Sequence, residues 1–222
     1  MVQLILPIII CFIPVFICFF TFKHFQIKIS HLFIAILLGL ITIFPISFIQ
    51  FLIPSQDTVA INPVVYSLLK SLIVYGLIEE AFKSLFLSPL PCKKNSSPLQ
   101  FLLLSFMFGL TLGAFESVVY FLDKLQLAYN RGGNILYVNI FARLFSSDII
   151  HMTCAGLSGL FVYTISTKKT KFQFFIYAIL LHGLYDFFAA FQNGLKFFAI
   201  PVILLSIMEC RIKYKSLCDD EV

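Results

Sequence analysis

The sequence predicts an all-α membrane protein, a polytopic bundle of about seven transmembrane helices. Of its 222 residues, 60% are hydrophobic and only 12% are charged, whereas soluble domains carry roughly 25% charged residues. The apolar residues occur in runs of about twenty, the length that a helix needs to cross a bilayer. Amphipathic periodicity is largely absent, as expected for helices that face lipid or one another on all sides. Residues 1–222 are therefore predicted to form a single integral membrane domain.

Seven apolar runs are the predicted spans. They occupy residues 4–22, 31–53, 64–87, 99–122, 147–165, 172–191 and 197–208. The last run is short and is interrupted by Pro201, so the sequence does not decide whether it crosses fully. Between the fourth and fifth runs, residues 123–146 mix aromatic and basic residues around Gly132-Gly133. We expect an interfacial or re-entrant element there, and a cytoplasmic tail over residues 209–222.

The distribution of Lys and Arg predicts the orientation of the bundle. With the N-terminus outside, the cytoplasmic loops and tail hold ten Lys and Arg residues, and the opposite side holds four. Because positive charge accumulates on the cytoplasmic side, this predicts an outer N-terminus and a cytoplasmic C-terminus in a cell membrane. The same distribution explains the net charge of +5 as topology. The predicted surroundings are therefore the lipid bilayer, and no nucleic acid is predicted as a partner.

Within the predicted spans, seven ionisable residues are candidates for a functional site. They are Glu79, Glu80, Lys83, Glu116, His151, His182 and Asp186. A charged side chain near the bilayer centre costs about 2.5–3.5 kcal/mol. The summed cost of seven scattered charged groups would exceed the net stability of a typical protein, about 5–15 kcal/mol. We therefore expect these residues to share one buried polar cavity, between the membrane midplane and its outer leaflet.

Helical spacing predicts local pairs within this set. Glu79 and Lys83 are four residues apart, so they share a helix face and are expected to pair. Glu80 points about 100° away and is expected to be free for other contacts. His182 and Asp186 are also four apart, and the carboxylate is expected to orient the imidazole ring.

Two glycines precede Glu116 in the fourth predicted span. Gly109 and Gly113 have the GxxxG spacing, which in membrane helices allows two backbones to approach closely. This spacing predicts that the helix carrying Glu116 packs tightly against a neighbouring helix.

Carboxylates and histidines around one cavity are suited to hydrolysis. A glutamate can remove a proton from water as general base, and a histidine can donate to the oxyanion of a tetrahedral intermediate. The same set can instead hold a metal ion, because Glu and His are typical zinc ligands. The candidate ligands are then Glu116, His151 and His182, and the residues alone leave both chemistries open.

Two further classes of protein use intramembrane ionisable residues. An ion- or proton-coupled transporter employs Glu, His and Asp in its relay. Many transporters, however, contain inverted repeats with broken helices, and the sequence shows no such repeat. A non-catalytic membrane binding protein of the same fold is the third hypothesis.

The order of the polar motifs resembles the PrsW family of intramembrane proteases, relatives of the CAAX prenyl endopeptidases and the bacteriocin-processing membrane proteases. The motifs are Glu79-Glu80-Ala81-Phe82-Lys83, the segment Gly109 to Glu116, His151, and His182-Gly183-Leu184-Tyr185-Asp186. Leu112 stands where the family pattern has Phe. The motifs extend from the third to the sixth predicted span, so the resemblance predicts a four-helix catalytic core over residues 64–191.

The resemblance implies a membrane protease. Such an enzyme would cleave membrane-tethered proteins, for example regulators like anti-sigma factors, near the extracytoplasmic face. It implies that Glu79 and Glu80 act as general base, and that Glu116, His151 and His182 complete the site. Asp186 and Lys83 would have supporting roles as the orienting and pairing residues. Whether the mechanism is glutamate-type or metal-dependent, with zinc as the candidate metal, stays open at this point.

Overall fold

A computed structural model describes residues 2–25, 27–54, 56, 59–90, 97–129 and 134–219. These residues form helices and connecting loops without any β-strand, so the predicted all-α class is confirmed. The α-helices are α1 (Val2–Lys23), α2 (Ile29–Leu52), α3 (Pro63–Lys70), α4 (Glu79–Leu87), α5 (Pro98–Tyr129), α6 (Asn134–Leu144), α7 (Ser147–Ser166), α8 (Phe172–Ala189) and α9 (Ala199–Asp219). A π-helical segment, Ser71–Ile78, joins α3 to α4, and a 3₁₀ turn, Gly194–Phe198, precedes α9.

Five helical stretches in the described part of the chain are long and apolar enough to cross a membrane. They are Ile5–Lys23, Ile29–Leu52, Pro98–Leu125, Tyr137–Ser166 and Phe172–Ala189. The third predicted span consists of three successive helical segments: α3, the π-helical segment and α4. The seventh is part of α9, which continues through Asp219, so most of the predicted tail is helical. A total of seven spans and the orientation of the bundle stay predictions.

The centre of the bundle is formed by α5 and α7. Among the 18 consecutive residues that are most apolar in each helical stretch, 78% are buried in the stretches containing α5 and α7. The corresponding share is 22% in α1 and 33% in α2. Helix α5 packs on α7, α2 and α1, and α8 packs on the π-helical segment and α7. The outer helices therefore direct much of their apolar surface outward, which suits contact with lipid.

The glycines of α5 bring it close to α7. A Cβ atom at Gly113 would lie 3.2 Å from the Cβ of His151, and one at Gly109 would meet the backbone oxygen of the same residue. The prediction that the GxxxG spacing marks tight helix packing is therefore confirmed. The consequence for the site is direct, because Glu116 follows Gly113 by one helical turn and so lies beside His151.

A second close approach sets the position of α8. A Cβ atom at Gly183 would lie 2.9 Å from the Cα of Leu72 and 2.9 Å from the backbone oxygen of Ser71. Gly183 therefore lets α8 lie directly on the π-helical segment. His182, the preceding residue, is held next to the start of α4 by this contact.

Replacing Gly183 by alanine is expected to destabilise the protein by about 1–3 kcal/mol, because the added methyl group meets backbone atoms that cannot turn away. The measurement is the free energy of unfolding of the purified protein in detergent. Gly194→Ala is the matched control, since a Cβ atom there meets nothing within 4 Å. Equal stability of the two variants would contradict a tight contact between α8 and the π-helical segment.

The predicted interfacial element contains a short helix. Helix α5 extends to Tyr129, and α6 then packs against α1, α5 and α7. Gly132-Gly133, the predicted break in this element, lies outside the described residues. Helix α6 contributes Arg143 to the site described below.

Candidate active site

Five residues predicted to be catalytic meet inside the bundle. Glu79 and Glu80 begin α4, Glu116 lies in α5, His151 in α7 and His182 in α8. The ring centroids of the two histidines are 4.9 Å apart, in an edge-to-face arrangement. The predicted convergence of the intramembrane ionisable residues is confirmed. Four separate helices supply the groups, so the site exists only in the folded bundle.

Lys83 lies at the centre of this cluster and is completely buried. Its Nζ atom is 2.6 Å from Glu80 Oε1 but 4.0 Å from Glu79 Oε2. The predicted pair of Lys83 with Glu79 is present, but Lys83 makes its shorter contact with Glu80. Residues three and four apart are both neighbours on a helix, and contacts with other helices decide between them. The same Nζ atom lies 3.2 Å from His151 Nδ1 and 3.4 Å from His182 Nδ1, which draws it toward Glu80.

Both carboxylate oxygens of Glu80 have partners. Oε1 lies 2.8 Å from His182 Nδ1 in addition to its contact with Lys83, and Oε2 accepts a hydrogen bond of 2.7 Å from Ser158. As predicted, Glu80 makes contacts on other helices, with His182 and Ser158, but it also binds Lys83, which the helical spacing did not predict. Asp186 Oδ2 is 3.4 Å from His182 Nε2. The predicted Asp186 contact is present, but Glu80 makes the shorter contact with the imidazole.

Glu79 is held by only one of its oxygens. Its Oε1 accepts a hydrogen bond of 2.7 Å from Gln50 Nε2. Its Oε2 is buried without a hydrogen-bond partner among the described residues and lies 3.8 Å from His182 Nε2. Gln50 lies near the end of α2, outside every motif, and sequence reasoning missed it. The only available signal was an amide side chain near the end of an apolar run.

Each oxygen of Glu116 has a different neighbour. Its Oε1 is 3.4 Å from Arg143 Nη2, while its Oε2 is 2.5 Å from His151 Nε2. Arg143 also donates hydrogen bonds of 3.1 Å to the hydroxyls of Ser117 and Ser147. The sequence indicated only a topological role for Arg143. No pattern in the chain signalled that α6 brings this guanidinium to Glu116.

The site opens on the Glu116 side. The Glu116 side chain is 43% exposed, compared with 7% for Glu79 and 4% for His151. Glu79 and Glu116 both line a cavity of about 430 Å³ that is also lined by residues of α2, the π-helical segment and α5. A molecule in this cavity could therefore reach both carboxylates, while Glu80 and Lys83 stay behind them.

Three of these residues fit a metal ion. Glu79, His151 and His182 each offer a ligand atom, and the three atoms lie within 4.8 Å of one another. Ligands of a tetrahedral zinc ion with bonds of about 2.0–2.1 Å are about 3.3 Å apart, so only small side-chain movements are needed. The unpartnered Oε2 of Glu79 is the kind of atom that a cation would satisfy. Both histidines predicted as ligands belong to this group, with Glu79 in the place predicted for Glu116.

The charges of the cluster favour a bound cation as well. Three carboxylates, those of Glu79, Glu80 and Glu116, stand against the two cations Lys83 and Arg143. Buried charges are costly unless they are compensated. The contact between Glu80 and His182 Nδ1 is also the usual arrangement around a metal-binding histidine, whose other ring nitrogen is held by a carboxylate.

Residues 28–209 match the family described as PrsW family intramembrane metalloprotease. The chain belongs to this family. The match extends well beyond the motifs that carried the resemblance, and it confirms the predicted family. No protein with a curated function and no solved structure matches the chain.

Membership of the PrsW family gives the cluster a context. The five apolar helical stretches and the family together make the chain a multi-pass membrane protease. The family description as a metalloprotease agrees with the group formed by Glu79, His151 and His182.

Proposed function

We propose that this PrsW-family protein is a metal-dependent endopeptidase of the cell membrane. It hydrolyses peptide bonds of membrane-tethered proteins, such as regulators like anti-sigma factors, near the extracytoplasmic face. The observation that supports this most is the group of ligand atoms from Glu79, His151 and His182, within 4.8 Å of one another beside a cavity lined by Glu79 and Glu116.

Glu79, His151 and His182 are the residues that would hold the metal, and zinc is the ion that this ligand set favours. Bound there, zinc would polarise the carbonyl group of the scissile bond and activate a water molecule. In the tautomer in which His182 Nδ1 donates to Glu80, 2.8 Å away, Nε2 of that ring carries no hydrogen and can act as the ligand atom. Such a contact from a carboxylate also makes the histidine a better ligand.

Glu116 is the residue we assign as general base. Its side chain is the most exposed of the site carboxylates compared above and lines the cavity, so it can meet both water and substrate. Arg143 holds one oxygen and leaves the other directed into the site. If His151 held the metal in place of its present contact with Glu116, the Oε2 atom of Glu116 would be available to accept a proton.

Glu80 and Lys83 support the site without touching the substrate. Both are completely buried, and both oxygens of Glu80 are already engaged. Lys83 balances part of the negative charge of the glutamates and lies against Nδ1 of both histidines. Asp186 completes the group as a second contact of His182.

The proposed catalytic core is the four-helix region of residues 64–191, which carries all the motifs. Gln50 from α2 supports it from outside this range. With the N-terminus outside and residues 209–222 on the cytoplasmic side, the site lies nearer the outer face. This orientation rests on the distribution of Lys and Arg.

Removal of the metal tests the proposed function. Purified protein in detergent, supplied with a single-span membrane protein as reporter, is expected to lose cleavage after treatment with a chelator and to regain it with zinc. His151→Ala and His182→Ala should lose both cleavage and stoichiometric zinc binding. His24→Ala, in a turn after α1, is the control and should keep both. Cleavage that survives complete metal removal would instead favour a glutamate mechanism.

A further inference from the structure

The cavity beside the site is lined largely by residues of α2 and α5, on one side of a close contact between these two helices. Near its middle, α2 contacts α5 closely, since a Cβ atom at Gly39 would lie 2.6 Å from the backbone oxygen of Phe108. The cavity is lined by residues that follow this contact on both helices, among them Ser47 on α2 and Val119 on α5. Gln50 is eleven residues beyond Gly39, about 16 Å along a helix.

Helix α2 contains a proline beside the cavity. Pro45 lies inside this helix, within the part that lines the cavity, between Ile43 and Ile46. A proline in a helix interior removes one backbone hydrogen bond and bends the helix. Such a bend favours open space between α2 and α5 beyond Gly39, where the cavity lined by Glu79 and Glu116 is found.

The walls of the cavity differ in chemistry. Ile43, Ile46 and Leu112 form an apolar part, and each of these side chains is at least 93% buried. Ser47 and Gln50 add polar groups on the α2 side. An unwound peptide within a membrane needs partners for its backbone groups and apolar surroundings for its side chains. The cavity provides both, and its volume of about 430 Å³ lies within the usual range of ligand sites, about 300–1,000 Å³.

From this geometry we infer that the cleft between α2 and α5 is the substrate-binding site, entered from the side. It receives an unwound segment of a membrane-tethered polypeptide, with an apolar side chain against Ile43, Ile46 and Leu112. The inference rests on the proposed protease function and adds where the substrate binds and which residues it must carry. Val119 is 49% exposed and borders the entrance.

Reversible blocking of the cleft is the first test. Ser47→Cys is modified with a benzyl methanethiosulfonate, and cleavage of a single-span reporter with a leucine-rich outer juxtamembrane segment is followed. We expect cleavage to fall by at least about 10-fold and to return after reduction. Phe48→Cys is the matched control, because this neighbour is 64% exposed and does not line the cavity. Wild type treated in the same way controls for the native cysteines.

The choice of substrate gives a second readout. A hydrophobic pocket discriminates by about 10–200-fold between side chains that fill it and ones that do not. The leucine-rich reporter should therefore be cleaved at least about 10-fold faster than one with a serine-rich segment. Equal cleavage of the two, or full activity of completely modified Ser47→Cys, would overturn the inference while leaving the protease assignment intact.

Photo-crosslinking tests binding without any turnover. A benzophenone amino acid at position 119 should capture the leucine-rich reporter, whereas the same group at position 122 should not. Leu122 is equally exposed, at 49%, but does not line the cavity. Capture at 119 by a protein that cleaves nothing would support the cleft and contradict the protease. Equal capture at both positions, or none at 119, would overturn the inference that the cleft binds the substrate.

Discussion

Replacing Glu116 by glutamine is expected to lower kcat by about 100- to 10,000-fold, the usual contribution of a general base. The amide keeps the shape of the side chain and can still accept from Arg143, which lies 3.4 Å from Glu116 Oε1. It cannot take a proton from water. Zinc affinity, measured by competition with a chromophoric chelator, should stay close to that of wild type, because Glu116 is outside the proposed ligand set.

Glu79→Gln is the informative comparison for this prediction. Its Oε2 atom is a proposed ligand, so this variant should lose zinc binding as well as cleavage. Glu209→Gln is the control, since Glu209 pairs with Lys213 on α9 away from the site, and it should keep both properties. If Glu116→Gln also lost zinc, the roles of the two glutamates would have to be exchanged.

Replacing Lys83 by methionine is expected to destabilise the protein by about 3–5 kcal/mol, the cost of leaving a buried charge without its partner. Lys83 and Glu80 are both completely buried, with Nζ 2.6 Å from Oε1. In the variant, Glu80 keeps only its contacts with Ser158 and His182. The measurement is the free energy of unfolding in detergent. Cleavage should be lost as well, because the two histidines lose their contact with the ammonium group.

Two further variants distinguish a charge effect from a packing effect. In the double variant Lys83→Met with Glu80→Gln, both charges are gone, and much of the lost stability should return. Lys124→Met removes a lysine whose pair with Asp123 is exposed to a much greater extent, 39% and 66% for the two side chains, and should cost less than about 1 kcal/mol. A double variant as unstable as Lys83→Met alone would indicate that the volume of the lysine matters and its charge does not.

The sequence predicted the composition of the site because the cost of buried charge does not depend on the details of packing. Glu79, Glu80, Glu116, His151 and His182 stood out as ionisable groups in apolar runs, and the structure brings them together. The same argument missed Gln50 and Arg143. Gln50 carries no charge, and Arg143 was in a segment whose basic residues are explained by membrane topology.

Helical spacing was less informative about which groups touch. The i,i+4 rule favoured a pair of Glu79 with Lys83, but the shorter contact is with Glu80, three residues away. The energies of such pairs along one helix are only about 0.2–0.5 kcal/mol. Contacts of Lys83 with histidines on α7 and α8 therefore decide the geometry.

The sequence by itself determined that the chain is an all-helical membrane protein with one polar site, since hydropathy and buried charge are properties of residues along the chain. Only the tertiary structure decided which partner each carboxylate oxygen of the glutamates has. It also decided that α2 and α5 leave a cleft beside Glu116. These features arise between helices far apart in sequence, where Gly113 and Gly183 permit close approach and where side-chain packing, which no local pattern encodes, sets the distances.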